Sequence, residues 1–440
     1  MEIQDTPEDS HSESNHLNKE SVINTNKQDG NTDLKFTTYQ KFIISILSIV
    51  QFTVVLDFMV LSPLGAQLME ELGITTRQFG MVVSSYAFSA GFGGILAAGF
   101  ADKFDRKKLL LFFYCGFIFG TLLCAAAPDY EFLLMARIVT GLFGGVLSSV
   151  SFAIITDLFK LQVRGKVMGF VQMSFSAAQV LGIPVGLLLA ANIGWHAPFW
   201  MIVIFSLFVL LTLVWYVKPV TDHLKLKNDR NPFYHLAKTI SHPPHIRAFL
   251  ATVLLATGGW MLMPFGSAFS VHNLELSLED LPWLYGITGV FTILFGPIIG
   301  RSSDKIGKYN MFLIGTVISV VLVAIYTHLG KTQLEYVIIL NVILFIGISA
   351  RMISSSALIT AIPEPQDRGA FMSINSAIQQ ISGGIASALA GVIVVKTRSG
   401  YLENYPILGY VVIASMVFAL IMMYRVNTYV KGNVKTKGPI

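Results

Sequence analysis

Twelve runs of about twenty predominantly apolar residues fill the chain after Lys41, and they constrain its fold more than any other feature. A helix rising about 1.5 Å per residue needs about 20 such residues to cross a hydrocarbon core about 30 Å thick. Inside hydrocarbon every backbone N–H and C=O must be satisfied by the protein, which restricts spanning segments to helices and closed barrels. The runs are continuously apolar and do not alternate in polarity, so they exclude a barrel and predict an all-α, polytopic membrane protein. With 53% of residues hydrophobic and only 13% charged, no soluble domain fits in the loops, and the chain is not expected to be an enzyme.

The runs predict helices over 41–63, 78–101, 109–128, 132–155, 167–191 and 197–217. In the second half they predict 247–270, 283–301, 309–328, 336–361, 369–395 and 406–426. The chain therefore divides into a tail over 1–40, a six-helix bundle over 41–217, a linker over 218–246, a second six-helix bundle over 247–426 and a tail over 427–440. The first tail is rich in Asn, Ser, Asp and Glu and has no apolar core, so it reads as disordered and cytosolic and not as a signal peptide.

Orientation follows from Lys and Arg, whose excess marks cytoplasmic flanks. With the N-terminus inside, twenty-five of the thirty-one bases fall on the cytoplasmic side and four, Arg77, Lys331, Lys396 and Arg398, on the other. Both termini are then cytoplasmic, and the net charge of +5 reflects topology, with no nucleic-acid partner implied. Cys115 and Cys124 lie nine residues apart in the third run. At about 100° per residue they point in opposite directions and cannot bridge. No spacing of Cys and His suggests a metal or cofactor, so both cysteines read as packing or lipid-facing residues.

The loop after the second run is the most charged interruption, Gly99-Phe-Ala-Asp102-Lys-Phe-Asp105-Arg106-Lys-Lys108. A weaker copy, Gly300-Arg-Ser-Ser-Asp304-Lys-Ile-Gly307-Lys308, follows the eighth run. Arg164-Gly165-Lys-Val-Met168 likewise matches Arg368-Gly369-Ala-Phe-Met372 at an offset of 204, so the chain is internally duplicated, as a parallel repeat of two bundles would be. These segments resemble the cytoplasmic signature between helices 2 and 3 of the major facilitator superfamily, and the succession of weak motifs is similar to that family over nearly all the chain after the tail. The resemblance implies a monomeric carrier in the bacterial inner membrane whose partners are the lipid bilayer, protons and a small-molecule substrate. It also implies a cytoplasmic gate built from Gly99, Asp102, Arg106, Asp157, Gly300 and Asp304. Asp105 stands where the family has Gly; Asp tolerates left-handed geometry better than most residues, so the turn is expected to be kept. Leu134-Met-Ala-Arg137-Ile-Val-Thr-Gly141 resembles the helix 4 signature, whose Arg belongs to the proton-coupling machinery. Gly182-Ile-Pro184-Val-Gly186 is similar to the Gly-Pro signature of the antiporters, though a residue separates Gly from Pro. The alternative is that Gly182, Pro184 and Gly186 merely bend helix 5 and let a neighbour approach.

Asp57 is the carboxylate placed deep within a run, where insertion costs about 2.5–3.5 kcal/mol, so it needs a partner or a purpose. Counting along the helices puts Asp57 and Arg137 both in the outer half, where they can meet. They are either a static ion pair fixing helix 1 against helix 4 or a site that takes up the coupling proton when the pair separates. Arg351 lies near mid-membrane in helix 10, with no deep carboxylate in its half. It either leaves a free positive charge that suits an anionic substrate better than a lipophilic cation, or bonds polar side chains of helix 11 such as Asn375, Gln379 and Gln380. Trp260 with Met261 and Met263 reads either as a cavity wall or as core. The sequence thus predicts a proton-coupled secondary transporter that rocks two bundles and exports a small, anion-leaning molecule such as a drug, metabolite or siderophore-like compound. Uptake by symport is the second reading, and a non-transporting membrane receptor or scaffold the third.

Overall fold

The computed structural model describes residues 36–100, 104–159, 161–221, 224, 239–364 and 368–437. Among them, twelve helices are long and apolar enough to cross a membrane. The first half comprises α1 (Thr38–Val60), a short α2 (Gly65–Glu71), α3 (Thr76–Phe100), α4 (Arg106–Ala125), α5 (Tyr130–Leu158), α6 (Leu161–Ala177), α7 (Ile183–Ile193) and α8 (Ala197–Tyr216). The second comprises α9 (Pro243–Trp260), α10 (Gly266–His272), α11 (Leu281–Ile306), α12 (Lys308–Tyr326), α13 (Leu334–Ile359) and α14 (Arg368–Ile393). An antiparallel ribbon, β1 (Val395–Lys396) with β2 (Leu402–Glu403), and then α15 (Tyr405–Lys437) complete it.

The helix bounds differ from the expected ones wherever polarity and helix chemistry part company. Proline lacks a backbone N–H and clashes with the preceding turn, so α1 stops at Val60 just before Pro63, and α9 stops before a 3-10 turn at Met263–Phe265 that holds Pro264. Each is followed by a short helix that hydropathy alone does not distinguish. At a helix start proline is harmless, and α9 accordingly begins on Pro243, inside the expected linker. At the other end of the chain, the expected tail from 427 is helical as far as Lys437, because leaving the membrane does not end a helix that meets no breaker. Asp129 starts α5 by accepting the Phe132 N–H at 2.9 Å.

The two halves meet from the face away from the basic loops to beyond mid-depth, where a Cβ on Gly91 of α3 would stand 2.7 Å from Ile381 of α14. At that face the start of α3 lies against the end of α14: Thr76 Oγ1 donates to the Val394 carbonyl (2.5 Å), and a Cβ on Gly80 would stand 2.9 Å from the Ser387 carbonyl oxygen. Such contact requires glycine, because any side chain would force the helices apart. Ser267 Oγ of α10 donates to the Ser62 carbonyl (3.0 Å), and the rings of Phe58 and Trp260 lie 4.5 Å apart. On α11 a Cβ at Gly289 would be 2.9 Å from Val180. Toward the basic loops the surroundings change: Phe92, Ile95 and Leu96 of α3 are exposed, and a Cβ at Gly296 or Gly300 of α11 would meet nothing within 4 Å.

Candidate functional site

Asp57, near the end of α1, and Arg137, in α5, are brought together in the core of the first half, each fully buried. Arg137 Nη1 donates to Asp57 Oδ2 at 2.8 Å, and Thr121 Oγ1 of α4 donates to Asp57 Oδ1 at 3.2 Å. The ion pair therefore uses one guanidinium nitrogen; among the described residues Arg137 Nε and Nη2 are buried without a nitrogen or oxygen partner, and the Cys124 thiol lies close to the guanidinium. Removing either member of a buried pair typically costs about 3–5 kcal/mol, because it strands the other charge.

The small face of α5 explains the placement. A Cβ on Gly141 would come within 2.4 Å of the Tyr86 carbonyl oxygen, and one on Gly145 within 2.3 Å of the Ala90 carbonyl oxygen, so α3 and α5 touch backbone to backbone. This contact seats the Tyr86 ring against the guanidinium, with Arg137 Cζ 4.5 Å from the ring centroid. Sequence reasoning named the ion pair and missed Tyr86 and Thr121. A hydroxyl within an otherwise apolar run is the signal that could have pointed to Thr121.

In the motif loop, Arg106 Nε donates to Asp157 Oδ2 at 3.1 Å, joining the start of α4 to the end of α5. Asp102 lies outside the described residues, and Gly99 is the penultimate residue of α3. Aligned on their aspartates, 202 positions apart, the two copies place Gly300 opposite Ala98 and not opposite Gly99. Asp304, at the end of α11, is largely exposed and among the described residues pairs with Lys308, which begins α12 and stands opposite Arg106, so the second copy does not reproduce the Arg106–Asp157 link. Arg164 reaches back to the end of α5, donating to the carbonyls of Phe159 (2.9 Å) and Thr156 (2.5 Å).

Asp105 does not keep the left-handed turn. Its φ is −55°, whereas Gly307 in the second copy has φ +96°. The carboxylate takes another role: Oδ1 caps α4 by accepting the Lys107 N–H (2.9 Å) and accepts the Val220 N–H (3.0 Å) from the segment after α8. Arg106 N–H returns a bond to the Val220 carbonyl (3.2 Å), and Lys107 Nζ donates to the Val214 carbonyl (2.9 Å). Asp105 thus clasps the beginning of the inter-bundle linker to the motif loop.

In helix 5, Ala178–Gly182 forms a π-turn between α6 and α7, in which the Ile183 N–H bonds the Ala178 carbonyl five residues back. The widened turn ends two residues before Pro184, whose missing N–H leaves the regular ladder incomplete. Gly182 admits Leu56, which would lie 2.4 Å from a Cβ there, and Gly186 admits Val60 at 2.9 Å. Beside them an apolar groove of about 290 Å³ is lined by Phe52, Leu56, Leu181, Gly182, Val185 and Phe205 among others.

Arg351 of α13 is 4% exposed, with its guanidinium carbon 5.7 Å from the Phe312 ring. Nε and Nη2 are buried without a partner among the described residues. The expected bonds to helix 11 are not made: Asn375 accepts instead from Thr252 Oγ1 (2.6 Å), Gln379 is exposed, and Gln380 Oε1 is itself buried without a donor. Because α13 ends at Ile359, Arg351 lies eight residues, about 12 Å, from the basic-loop end, nearer than expected. Trp260 is held at the meeting of the halves by Phe58 and Gly383, and Met261 is buried. The ion pair and Arg351 belong to different halves and are not brought together.

Comparisons with known proteins agree with this architecture. The sequence matches the Major Facilitator Superfamily twice, over residues 47–247 and 248–439. It is 27% identical over 268 residues to YceJ of Bacillus subtilis (strain 168), described as an uncharacterized MFS-type transporter, covering 60% of this chain and 68% of that one. It is 23% identical to a probable sugar efflux transporter of Helicobacter pylori (strain J99), covering 62% and 68%. The fold matches a bacterial homologue of the human lysosomal transporter Spinster, solved inward-facing and unoccupied, with TM-score 0.67 and 16% identity over 90% of this chain and 97% of that one. With a match in each half spanning most of its length, the chain belongs to the Major Facilitator Superfamily, a family of membrane transporters.

Proposed function

We propose that this transporter is a proton-coupled exporter of a small molecule, working by alternating access in the bacterial inner membrane with its basic loops and both termini in the cytoplasm. The observation that carries the reading is the buried Asp57–Arg137 pair, which joins α1 to α5 through one guanidinium nitrogen. A pair held at one point separates with a small rotation of either helix. Once separated, the carboxylate is stable in that dry site only as the neutral acid. Protonation of Asp57 and rocking of the halves are thereby one event. Arg106 and Asp157, with Asp102, Gly99, Gly300 and Asp304 of the two motif copies, govern closure on the cytoplasmic side. The Gly182–Pro184–Gly186 turn and the efflux role named for the Helicobacter relative support export.

Uptake by symport is the second reading, and one observation favours it. With Arg351 uncompensated, protonating Asp57 leaves the interior more positive and would draw an anion in along with the proton. The test is transport into inverted membrane vesicles whose lumen has been acidified. Export predicts accumulation in the lumen, dependent on Asp57. Accumulation only in right-side-out vesicles under an external acid pulse would support symport.

A further inference from the structure

We infer that Arg351 is the anchor for a carboxylate on the transported molecule, so that the substrate class is a small organic monoanion; this deepens the transport reading and rests on it. Nε and Nη2 are the two nitrogens of one edge of the guanidinium plane. Their parallel N–H bonds match the two oxygens of a carboxylate, and both nitrogens are buried with no partner among the described residues. The surrounding polar groups are already committed. Ser354 shares a hydrogen bond with Ser303 of α11 (3.2 Å), Ser355 donates to the Met352 carbonyl (3.2 Å), and Asn375 is taken by Thr252. Behind the side chain, Gly315 brings α12 against the Arg351 backbone, and the Phe312 ring closes the far side.

Among the described residues no carboxylate lies within ion-pair distance of Arg351. Arg137 leaves the same edge without a nitrogen or oxygen partner, but its charge is cancelled by Asp57; the uncompensated charge of the interior is therefore at Arg351. A lone guanidinium in a dry protein interior is costly, and an anion docking on its free edge relieves that cost. One guanidinium with no second base beside it suits a single negative charge, so a carboxylate fits better than a doubly charged phosphate. Access is from the basic-loop face, since Arg351 lies eight residues, about 12 Å, from that end of α13 and seventeen residues from the other.

The test is affinity selection by the purified full chain in nanodiscs, at one pH and without a gradient. The probes are a panel of aryl and alkyl carboxylic acids, each offered beside its primary amide. Wild type should retain a subset of acids over their amides, and Arg351→Gln should lose that retention by about tenfold or more. Arg351→Lys, which keeps the charge but not the two-pronged edge, should retain the same acids several-fold less well, and it carries the test alone if the Gln variant does not stay monodisperse. No acid preferred over its amide, or equal retention by wild type and the variants, overturns the inference. The transport reading fails separately. Acids held through Arg351 but not moved by a pH gradient would refute proton coupling and leave the anion site standing. Proton-driven transport of a neutral compound by Arg351→Gln would do the reverse.

Discussion

Replacing Asp105 with Ala should release the linker from the motif loop, and the cost can be worked from its two bonds. Losing an N-cap acceptor typically costs about 1 kcal/mol. Losing the bond to the Val220 N–H costs about 1 kcal/mol more, taken at the lower end because the site is partly exposed. Asp105→Ser separates the two, since the shorter side chain caps α4 but does not reach Val220. Amide hydrogen exchange resolved around residues 217–221 is the assay. A loss of about 1 kcal/mol corresponds to about fivefold faster exchange at Val220 in both variants. The Arg106 amide, which bonds the Val220 carbonyl, should follow. Val220 exchange unchanged in Asp105→Ala, with only the first turn of α4 loosened, would reduce Asp105 to a helix cap and refute the clasp.

Two further outcomes follow from the same packing. Arg106→Ala, which removes the link from α4 to Asp157, should change the proportions of inward-open and outward-open protein by a few-fold while leaving substrate affinity within about twofold. Crosslinking of paired cysteines across the face that carries the basic loops checks this, and unchanged proportions would contradict it. Gly141→Ala should force α3 from α5, destabilise the protein by about 1–3 kcal/mol and dislodge Tyr86 from Arg137. A thermal-stability measurement checks the first effect and near-ultraviolet circular dichroism the second.

The twelve spans were legible because hydrocarbon leaves the backbone no other option, and the Asp57–Arg137 meeting was legible because depth along a helix is a matter of counting. Rotation about the helix axis is not countable. Thr121 and Tyr86 therefore stayed hidden, since whether they face Asp57 and Arg137 or lipid depends on how Gly141 and Gly145 let α3 settle. Asp105 was misjudged for a related reason. A substitution of Gly by Asp suggests a turn, but the bond that gives this side chain its role comes from Val220, 115 residues later. Polarity also failed as a guide to helix ends at 427, where the chain leaves the apolar run but keeps residues that prolong a helix.

The central claim, that protonation of Asp57 couples transport to the pH gradient, is tested most directly by Asp57→Asn in proteoliposomes, with accumulation and equilibrium exchange of one retained compound measured side by side. The amide keeps the shape and is permanently neutral, so it removes the proton and spares the pathway. The variant should lose gradient-driven accumulation entirely while exchanging the compound at a rate within about threefold of wild type. Accumulation at the wild-type rate by Asp57→Asn would contradict the account and leave the ion pair a brace between α1 and α5.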